Sequence, residues 1–136
     1  KGLIAPLKTV IEKGVPFFGI CVGLQVLFDS SEEAPNAQGL GIFKGKAVRF
    51  QTGKVPQIGW NKIQTTAANI FLSDVFYFFV TSYHVVPADS SIVSAVADYH
   101  IPFTAAVQHK NITATQFHPE KSGQVGGDTL KRWVFA

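Results

Sequence analysis

The fold of this chain is decided by the stretch Pro16-Phe17-Phe18-Gly19-Ile20-Cys21-Val22-Gly23-Leu24-Gln25. An apolar run over residues 15–20 leads into Cys21, and a helical pattern over residues 22–28 leads away from it, which predicts a strand that turns directly into a helix. Cys21 is the only cysteine of the chain and has a glycine two residues away on either side. The spacing G-x-C-x-G, in place of G-x-S-x-G, is typical of a nucleophile elbow, which presents a reactive side chain at the end of a strand.

Two interpretations of Cys21 are open at this point. A cysteine at a helix N-terminus lies near unpaired N–H groups and the positive end of the helix dipole, and both favour the thiolate. The N–H of Val22 would point to the same place and would hold an oxyanion. The alternative is a small buried hydrophobe, because a lone cysteine after an apolar strand often has only that role and the motif is short.

Composition narrows the class of protein and its partners. The chain has 136 residues, of which 46% are hydrophobic and 15% charged, so we expect a globular fold with a real core. The net charge is +3 and no run of Lys or Arg occurs, so no nucleic-acid partner is expected. No apolar run is long enough to cross a membrane, and a single cysteine fits a reducing compartment. The chain has no Met and begins within a helical pattern, so we expect a piece of a longer protein.

The remaining periodicity indicates alternating helices and strands. The predicted helices are residues 1–13, 22–28 and 124–135, and the predicted strands are residues 15–20, 46–50, 74–82, 91–99, 102–109 and 112–117. The strand before Cys21 is apolar on both faces, which is typical of a central parallel strand. The last strands are joined by short turns, which favours antiparallel pairing. The aromatic residues 76–79 are expected in the core.

Four histidines are candidate partners for Cys21, namely His84, His100, His109 and His118. His100 and His109 lie in or beside polar turns, which favours a surface position. His118 ends an apolar strand, and Glu120 follows two residues later. Since active-site residues of α/β sheets gather at the carboxyl ends of strands, Cys21, His118 and Glu120 would form a nucleophile, base and orienting carboxylate. The alternative is a loop with an ordinary surface carboxylate. Neither metal-ligand spacing nor a dinucleotide fingerprint is present, so no metal or other cofactor is expected.

The stretch around Cys21, together with Gln116-Phe117-His118-Pro119-Glu120-Lys121-Ser122-Gly123, resembles the class I, or triad, glutamine amidotransferases. Residues 39–41, 54–61, 77–83 and 121–122 are similar to the glutaminase part of imidazole glycerol phosphate synthase, and the Val-Gly-Leu-Gln that follows Cys21 is like that of eukaryotic versions. The resemblance covers nearly the whole chain. It implies a flavodoxin-like α/β fold: a mixed, mainly parallel sheet with flanking helices and an antiparallel C-terminal section. It also implies one amidotransferase domain over residues 1–136, about the C-terminal two thirds of the family's domain.

The resemblance implies that Cys21 attacks glutamine, that His118 carries the proton and that Glu120 orients His118. The ammonia would pass to a (β/α)₈ cyclase, a separate subunit or a fused domain, in histidine biosynthesis. The other implied site residues are Gln25, Glu33, Ser82 and Tyr83 for the substrate, Val22 for the oxyanion, and Trp60, Asn61 and Lys121 for the cyclase interface. The implied location is the cytoplasm, or the plastid in a plant.

The chain departs from the family's pattern in two places. The family's first two βα units, which carry an oxyanion loop, are absent, so we expect an exposed strand edge and near inactivity of this piece alone. Thr81 stands where the family usually has histidine. Two alternatives therefore stay open: another class I amidotransferase, such as that of anthranilate, carbamoyl phosphate or GMP synthesis, and a catalytically silent docking module.

Overall fold

The computed structural model describes residues 4–136 as three helices, ten strands and two 3₁₀ turns. The helices are α1 (Ile4–Glu12), α2 (Val22–Gln25) and α3 (Gly123–Val134). The strands are β1 (Phe17–Ile20), β2 (Ser30–Ser31), β3 (Gly45–Arg49), β4 (Gln57–Lys62), β5 (Gln64–Thr65), β6 (Phe76–Thr81), β7 (Tyr83–Pro87), β8 (Val93–Asp98), β9 (Pro102–His109) and β10 (Ile112–Thr115). The 3₁₀ turns are Ser90–Ile92 and Pro119–Lys121. The first three residues of the predicted helix 1–13 lie outside the described residues.

Eight strands form a mixed sheet. Its main order is β1-β10-β9-β7-β3-β2, with β8 paired to β9 and to β5, while β4 and β6 form a separate two-stranded ribbon. The predicted α/β fold with a mixed sheet and flanking helices is confirmed. The sheet is not mainly parallel in the described residues, because only β1–β10 and β2–β3 pair in parallel. Most of the other strands are joined by short connections, and a parallel pair needs a long crossover.

Strand β1 is an edge strand among the described residues rather than a central one, since it pairs only with β10. Its apolar character on both faces has another cause. Phe17 packs against the core cluster that contains residues of α1 and α2, and Phe18 contacts Trp133 of α3 edge to face at 5.4 Å between ring centroids. Helices thus cover both faces of a strand whose outer edge has no partner strand in the part of the chain that the structure describes.

Helix α2 is shorter than predicted, ending at Gln25 instead of residue 28. Beyond it, Phe28 N–H donates to Gln25 O at 3.2 Å in a tighter turn. The loop around Gly39 explains this early end. The N–H of Leu40 donates to Val26 O at 2.7 Å, and a Cβ on Gly39 would lie 1.9 Å from Phe28 O. The glycine therefore lets the loop approach closely enough to take over the carbonyl groups at the helix end.

Strand β6 is buried on one face only, which corrects the prediction for residues 76–79. Tyr77 and Phe79 are fully buried in the second core cluster, where Tyr77 stacks on Phe117 and Phe79 contacts the same ring edge to face. Phe76 is 54% exposed and Phe78 is half-buried. The alternation arises because the β4–β6 ribbon covers the core with one face and leaves the other uncovered. None of the helices within residues 4–136 is long and apolar enough to span a membrane.

Candidate active site

Cys21 lies on a strained turn at the carboxyl end of β1. Its backbone dihedrals are φ 55° and ψ −104°, a region that non-glycine residues rarely occupy, and its N–H donates to Thr115 O at 2.8 Å. Gly19 is required here, because a Cβ on it would lie 2.5 Å from Gly23 O. A Cβ on Gly23 would meet nothing within 4 Å. The two glycines of the motif therefore differ: Gly19 permits the turn, and Gly23 leaves open space beside it.

The Cys21 thiol is partly buried and has two hydrogen-bond partners. Its Sγ donates to Val80 O at 3.8 Å and accepts from Gln116 Nε2 at 3.5 Å. Among residues 4–136 no hydrogen bond joins Sγ to His118. The thiol in this structure is thus held at β6 and at the residue that follows β10.

The prediction that the turn favours the thiolate is wrong for this structure. Burial raises the pKa of the Cys21 thiol, and the charges of Glu33 and Glu120 raise this pKa further. The Val22 N–H and the Gln116 amide act in the opposite direction and are outweighed. Helix α2 has only four residues, so its dipole contributes little. Cys21 is therefore a thiol at neutral pH, and ionising it requires a base.

His118 and Glu120 are in contact beside the carboxyl end of β10. His118 Nδ1 and Glu120 Oε2 are 2.7 Å apart, and their side chains are 18% and 44% exposed. β10 is the parallel neighbour of β1, with Ile20 paired to Thr115, so the residues after both strands leave the sheet at the same edge. The arrangement orients one imidazole nitrogen with a carboxylate and leaves the other for a proton.

One edge of β6 holds both candidate groups. His118 N–H donates to Phe78 O at 2.9 Å, and the Cys21 thiol donates to Val80 O. Ser122 Oγ reinforces this edge, because it accepts from Phe78 N at 2.9 Å and donates to His118 O at 2.7 Å. The nucleophile and base candidates are therefore positioned by the same strand, although about 100 residues separate them in sequence.

A small cavity of about 160 Å³ lies beside the turn, and its lining includes Val22, Gln25 and Glu33. Gln25 is buried and donates from Nε2 to Gln116 Oε1 at 3.3 Å, whereas Glu33 is exposed. The N–H of Val22 has no backbone acceptor within residues 4–136. This N–H lies against the Cys21 sulfur instead, where it lowers the pKa of the thiol. A backbone donor and the Glu33 carboxylate therefore border the same cavity.

Ser82 and Tyr83, the other predicted substrate residues, are half-buried in the short connection from β6 to β7. The Tyr83 N–H is engaged by Thr81 Oγ1 at 3.1 Å, and Ser82 O accepts from Phe50 N at 3.0 Å. The backbone N–H of Ser82 is free of hydrogen bonds in the part of the chain that the structure describes. Of the two residues, Ser82 therefore has the available donor.

The predicted interface residues differ in exposure. Trp60 is 54% exposed, and Lys121 is exposed in the 3₁₀ turn. The Asn61 side chain is committed internally, since its Nδ2 donates to Gln57 Oε1 at 3.1 Å and to Asp98 O at 2.8 Å. Trp60 belongs to a mainly apolar surface, here named the ribbon face, which consists of the outward side chains Ile58, Trp60, Lys62, Phe76, Phe78 and Val80.

Sequence reasoning named no site role for Gln116 or Thr81, both of which are buried and lie against Cys21 or its partners. The detectable signal was a glutamine at the end of a predicted strand, two residues before His118 of the His-Pro-Glu motif. The other histidines lie elsewhere: His84 is buried against Phe50, and His100 and His109 are exposed. No group of His, Cys, Asp or Glu side chains within residues 4–136 is arranged to hold a metal ion.

Comparison with known proteins identifies the class. The family model described as glutamine amidotransferase class-I matches residues 1–136. The chain therefore belongs to the class I glutamine amidotransferases, and the resemblance predicted from the motifs is confirmed.

Among curated proteins, the chain is similar to the imidazole glycerol phosphate synthase subunit HisH of Syntrophotalea carbinolica, with 48% identity over 144 residues that cover 97% of this chain and 70% of the relative. It is 42% identical to the HisH subunit of Pyrococcus furiosus over 132 residues, which cover 90% of this chain and 68% of that protein.

Two solved structures show the same fold. PurLQS from Thermotoga maritima superposes with a TM-score of 0.74 at 18% identity, covering 98% of this chain and 67% of that one. A glutamine amidotransferase from Thermotoga maritima has a TM-score of 0.64 at 20% identity, with coverages of 97% and 50%. Identities this low support the fold alone.

Proposed function

We propose that the chain is the glutaminase part of an imidazole glycerol phosphate synthase and hydrolyses glutamine to glutamate and ammonia. The observation that carries the proposal is the pairing of a strained cysteine turn after β1 with an oriented histidine beside the end of its parallel neighbour β10. Its support from sequence is the 48% identity to a protein named as a subunit of that synthase.

In the proposed mechanism, Cys21 is the nucleophile, His118 the general base and Glu120 the orienting carboxylate. His118 takes the thiol proton as sulfur attacks the side-chain carboxamide carbon of glutamine. The Val22 N–H is directed at the oxyanion of the tetrahedral intermediate. His118 then returns the proton to the leaving nitrogen, so that ammonia departs and a glutamyl thioester remains. Water, activated by the same imidazole, hydrolyses the thioester to glutamate and restores the thiol. The raised pKa of Cys21 makes this base necessary.

The cavity beside Val22 is the proposed substrate site. Its volume of about 160 Å³ suits a small amino acid. The carboxylate of Glu33 would pair with the α-ammonium group of glutamine, and Gln25 would contribute a polar wall. Ser82 would donate its free backbone N–H to the substrate. In this arrangement the charged end of glutamine is recognised away from the thiol.

The proposed partner is a (β/α)₈ cyclase that consumes the ammonia, either as a separate subunit or as a fused domain. The ribbon face supports this proposal, because Ile58, Trp60 and Phe76 are each more than half exposed. Exposed apolar surface that includes a tryptophan and a phenylalanine is typical of a protein interface. The partner would then contact one face of β6, the strand whose edge away from β4 holds Cys21 and His118.

The reaction is tested by ammonia release from glutamine, measured with the full-length protein that carries this chain and its cyclase. We expect Cys21→Ala and His118→Ala to lose at least about 10³-fold in kcat. His109→Ala is the matched control and should keep full activity, since His109 is exposed and pairs with Ile112, at the end of β10 opposite to Thr115 and the Cys21 turn. A loss in Cys21→Ala much smaller than about 10³-fold, or equal losses in the two histidine variants, would contradict the triad.

The partner is tested separately by binding. Trp60→Ala should weaken the complex with the cyclase by about tenfold or more, as expected for an aromatic interface residue. Ile70→Ala is the control, because Ile70 is 63% exposed and lies outside the ribbon face. Stimulation of glutamine hydrolysis by an anthranilate or pyrimidine partner, and not by the cyclase, would favour another class I amidotransferase instead.

A further inference from the structure

Gln116 is a buried residue whose side chain donates a hydrogen bond to the Cys21 sulfur. It follows β10 directly and is 0% exposed. Its side-chain amide meets three side chains. Gln25 Nε2 donates to its Oε1 at 3.3 Å, and its own Nε2 donates to Thr81 Oγ1 at 3.2 Å and to Cys21 Sγ at 3.5 Å. A buried amide with this many partners has little freedom to rotate.

The orientation of this amide follows from the hydroxyl of Thr81. That hydroxyl has one proton, which it donates to Tyr83 O at 2.6 Å. Toward Gln116 it is therefore only an acceptor, and Gln116 must present its Nε2 there rather than its oxygen. The same nitrogen faces Cys21 Sγ, while the oxygen accepts from Gln25. Residues far apart in sequence thus ensure that the sulfur faces an N–H group and not a carbonyl.

We propose that Gln116 is a positioning residue that holds the Cys21 sulfur at the turn and stabilises negative charge on it through an N–H group aimed by Thr81 and Gln25. This inference rests on the proposed role of Cys21 as the nucleophile. It assigns no contact with substrate to Gln116, which acts only through the sulfur.

The contacts of the sulfur change when its proton leaves. The thiol donates to Val80 O, and this hydrogen bond is lost on ionisation, after which the carbonyl oxygen repels the thiolate. The Gln116 N–H remains favourable in both states and is stronger toward the thiolate. The charges acting on the sulfur are those of Glu33 and Glu120, and both oppose its ionisation. Gln116 and the Val22 N–H are therefore the groups that offset burial and these carboxylates.

The experiment measures alkylation of Cys21 by iodoacetamide as a function of pH in the full-length protein, following the peptide that contains Cys21 by mass spectrometry. In Gln116→Leu we expect the apparent pKa of alkylation to rise by about one unit, and the rate at pH 7 to fall about tenfold. The matched control is Gln108→Leu. Gln108 is also a buried glutamine; its Oε1 accepts from Thr113 Oγ1 at 2.7 Å, and it makes no hydrogen bond with Cys21. Its alkylation profile should match that of the parent.

Gln116→Glu keeps the shape of the side chain, and it is the variant to measure if Gln116→Leu does not fold. A carboxyl group there still accepts from Gln25 but brings a negative charge to the sulfur, so alkylation should again move to higher pH. An unchanged profile in the folded Gln116 variants, or an equal shift in Gln108→Leu, would overturn the proposal. Alkylation needs no glutamine turnover, so this test and that of the glutaminase reaction can fail independently.

Discussion

Substitution of Gly126 by alanine tests whether the close packing of α3 supports the candidate active site. A Cβ on Gly126 would lie 1.8 Å from Pro119 O, 2.7 Å from Pro119 C and 2.8 Å from Ser122 Cβ. The neighbouring Gly127 is its matched control, since a Cβ there meets nothing within 4 Å. Both glycines lie in α3, so both substitutions change the same intrinsic helix propensity.

The magnitude follows from the distance to Pro119. Reaching ordinary contact requires the helix and the Pro119 carbonyl to separate by about 1.6 Å, and such overpacking costs typically about 1–3 kcal/mol. A backbone carbonyl cannot rotate away, so we expect the upper part of that range. Replacing glycine by alanine in a helix also stabilises it by about 0.5–1 kcal/mol. In Gly126→Ala this gain offsets part of the overpacking cost, and in Gly127→Ala it is the only expected effect. The free energies of unfolding of the two variants should therefore differ by about 3 kcal/mol.

The activity of Gly126→Ala should also fall, because Pro119 separates His118 from Glu120. Moving this turn by more than 1 Å alters the 2.7 Å contact between their side chains, and a misplacement of that size costs about 10²-fold in rate. Denaturant unfolding and glutamine hydrolysis are measured for both variants in the full-length protein. If Gly126→Ala is as stable and as active as Gly127→Ala, the close packing of α3 on this turn does not support the site.

Two further predictions concern ionisable groups. Burial lowers the pKa of His84, so the unfolded chain binds its proton first as the pH falls below about 6.5. The free energy of unfolding should therefore drop between pH 7.5 and pH 5.5, and urea denaturation should show a smaller drop in His84→Phe; an equal drop would contradict this cause. Glu120→Gln removes the charge beside His118 while keeping an acceptor, and should lower kcat about 10²–10⁴-fold with little change in KM. Glu12→Gln, an exposed carboxylate on α1, should leave kcat unchanged, and comparable losses in both would show that the charge of Glu120 has no specific role.

Much of the sheet could be predicted from local pattern, and the exceptions have physical causes. The bounds predicted for the strands that contain Phe103 and Ile112 agree closely with β9 and β10. The residue alternation and the tight turns that define these strands can be recognised within a short stretch of sequence. The position of β1 in the sheet could not be predicted in this way. Apolar residues on both faces of a strand show that helices cover those faces, but they do not show how many neighbouring strands it has. Residues 76–79 were predicted wholly in the core because sequence does not reveal that β6, within residues 4–136, pairs with β4 alone.

The sequence by itself determined which reactive groups the protein has and where they lie along the chain. These are a cysteine on a turn between two glycines, a histidine followed by a carboxylate, and the strands that precede them. These are local features, fixed by residue type and spacing. Only the tertiary structure decided how the cysteine is held. Its thiol donates to Val80 O, its sulfur accepts from the Gln116 amide, and burial raises the pKa of the thiol. Gln116 lies 95 residues from Cys21, and both burial and the aim of an amide depend on such distant neighbours.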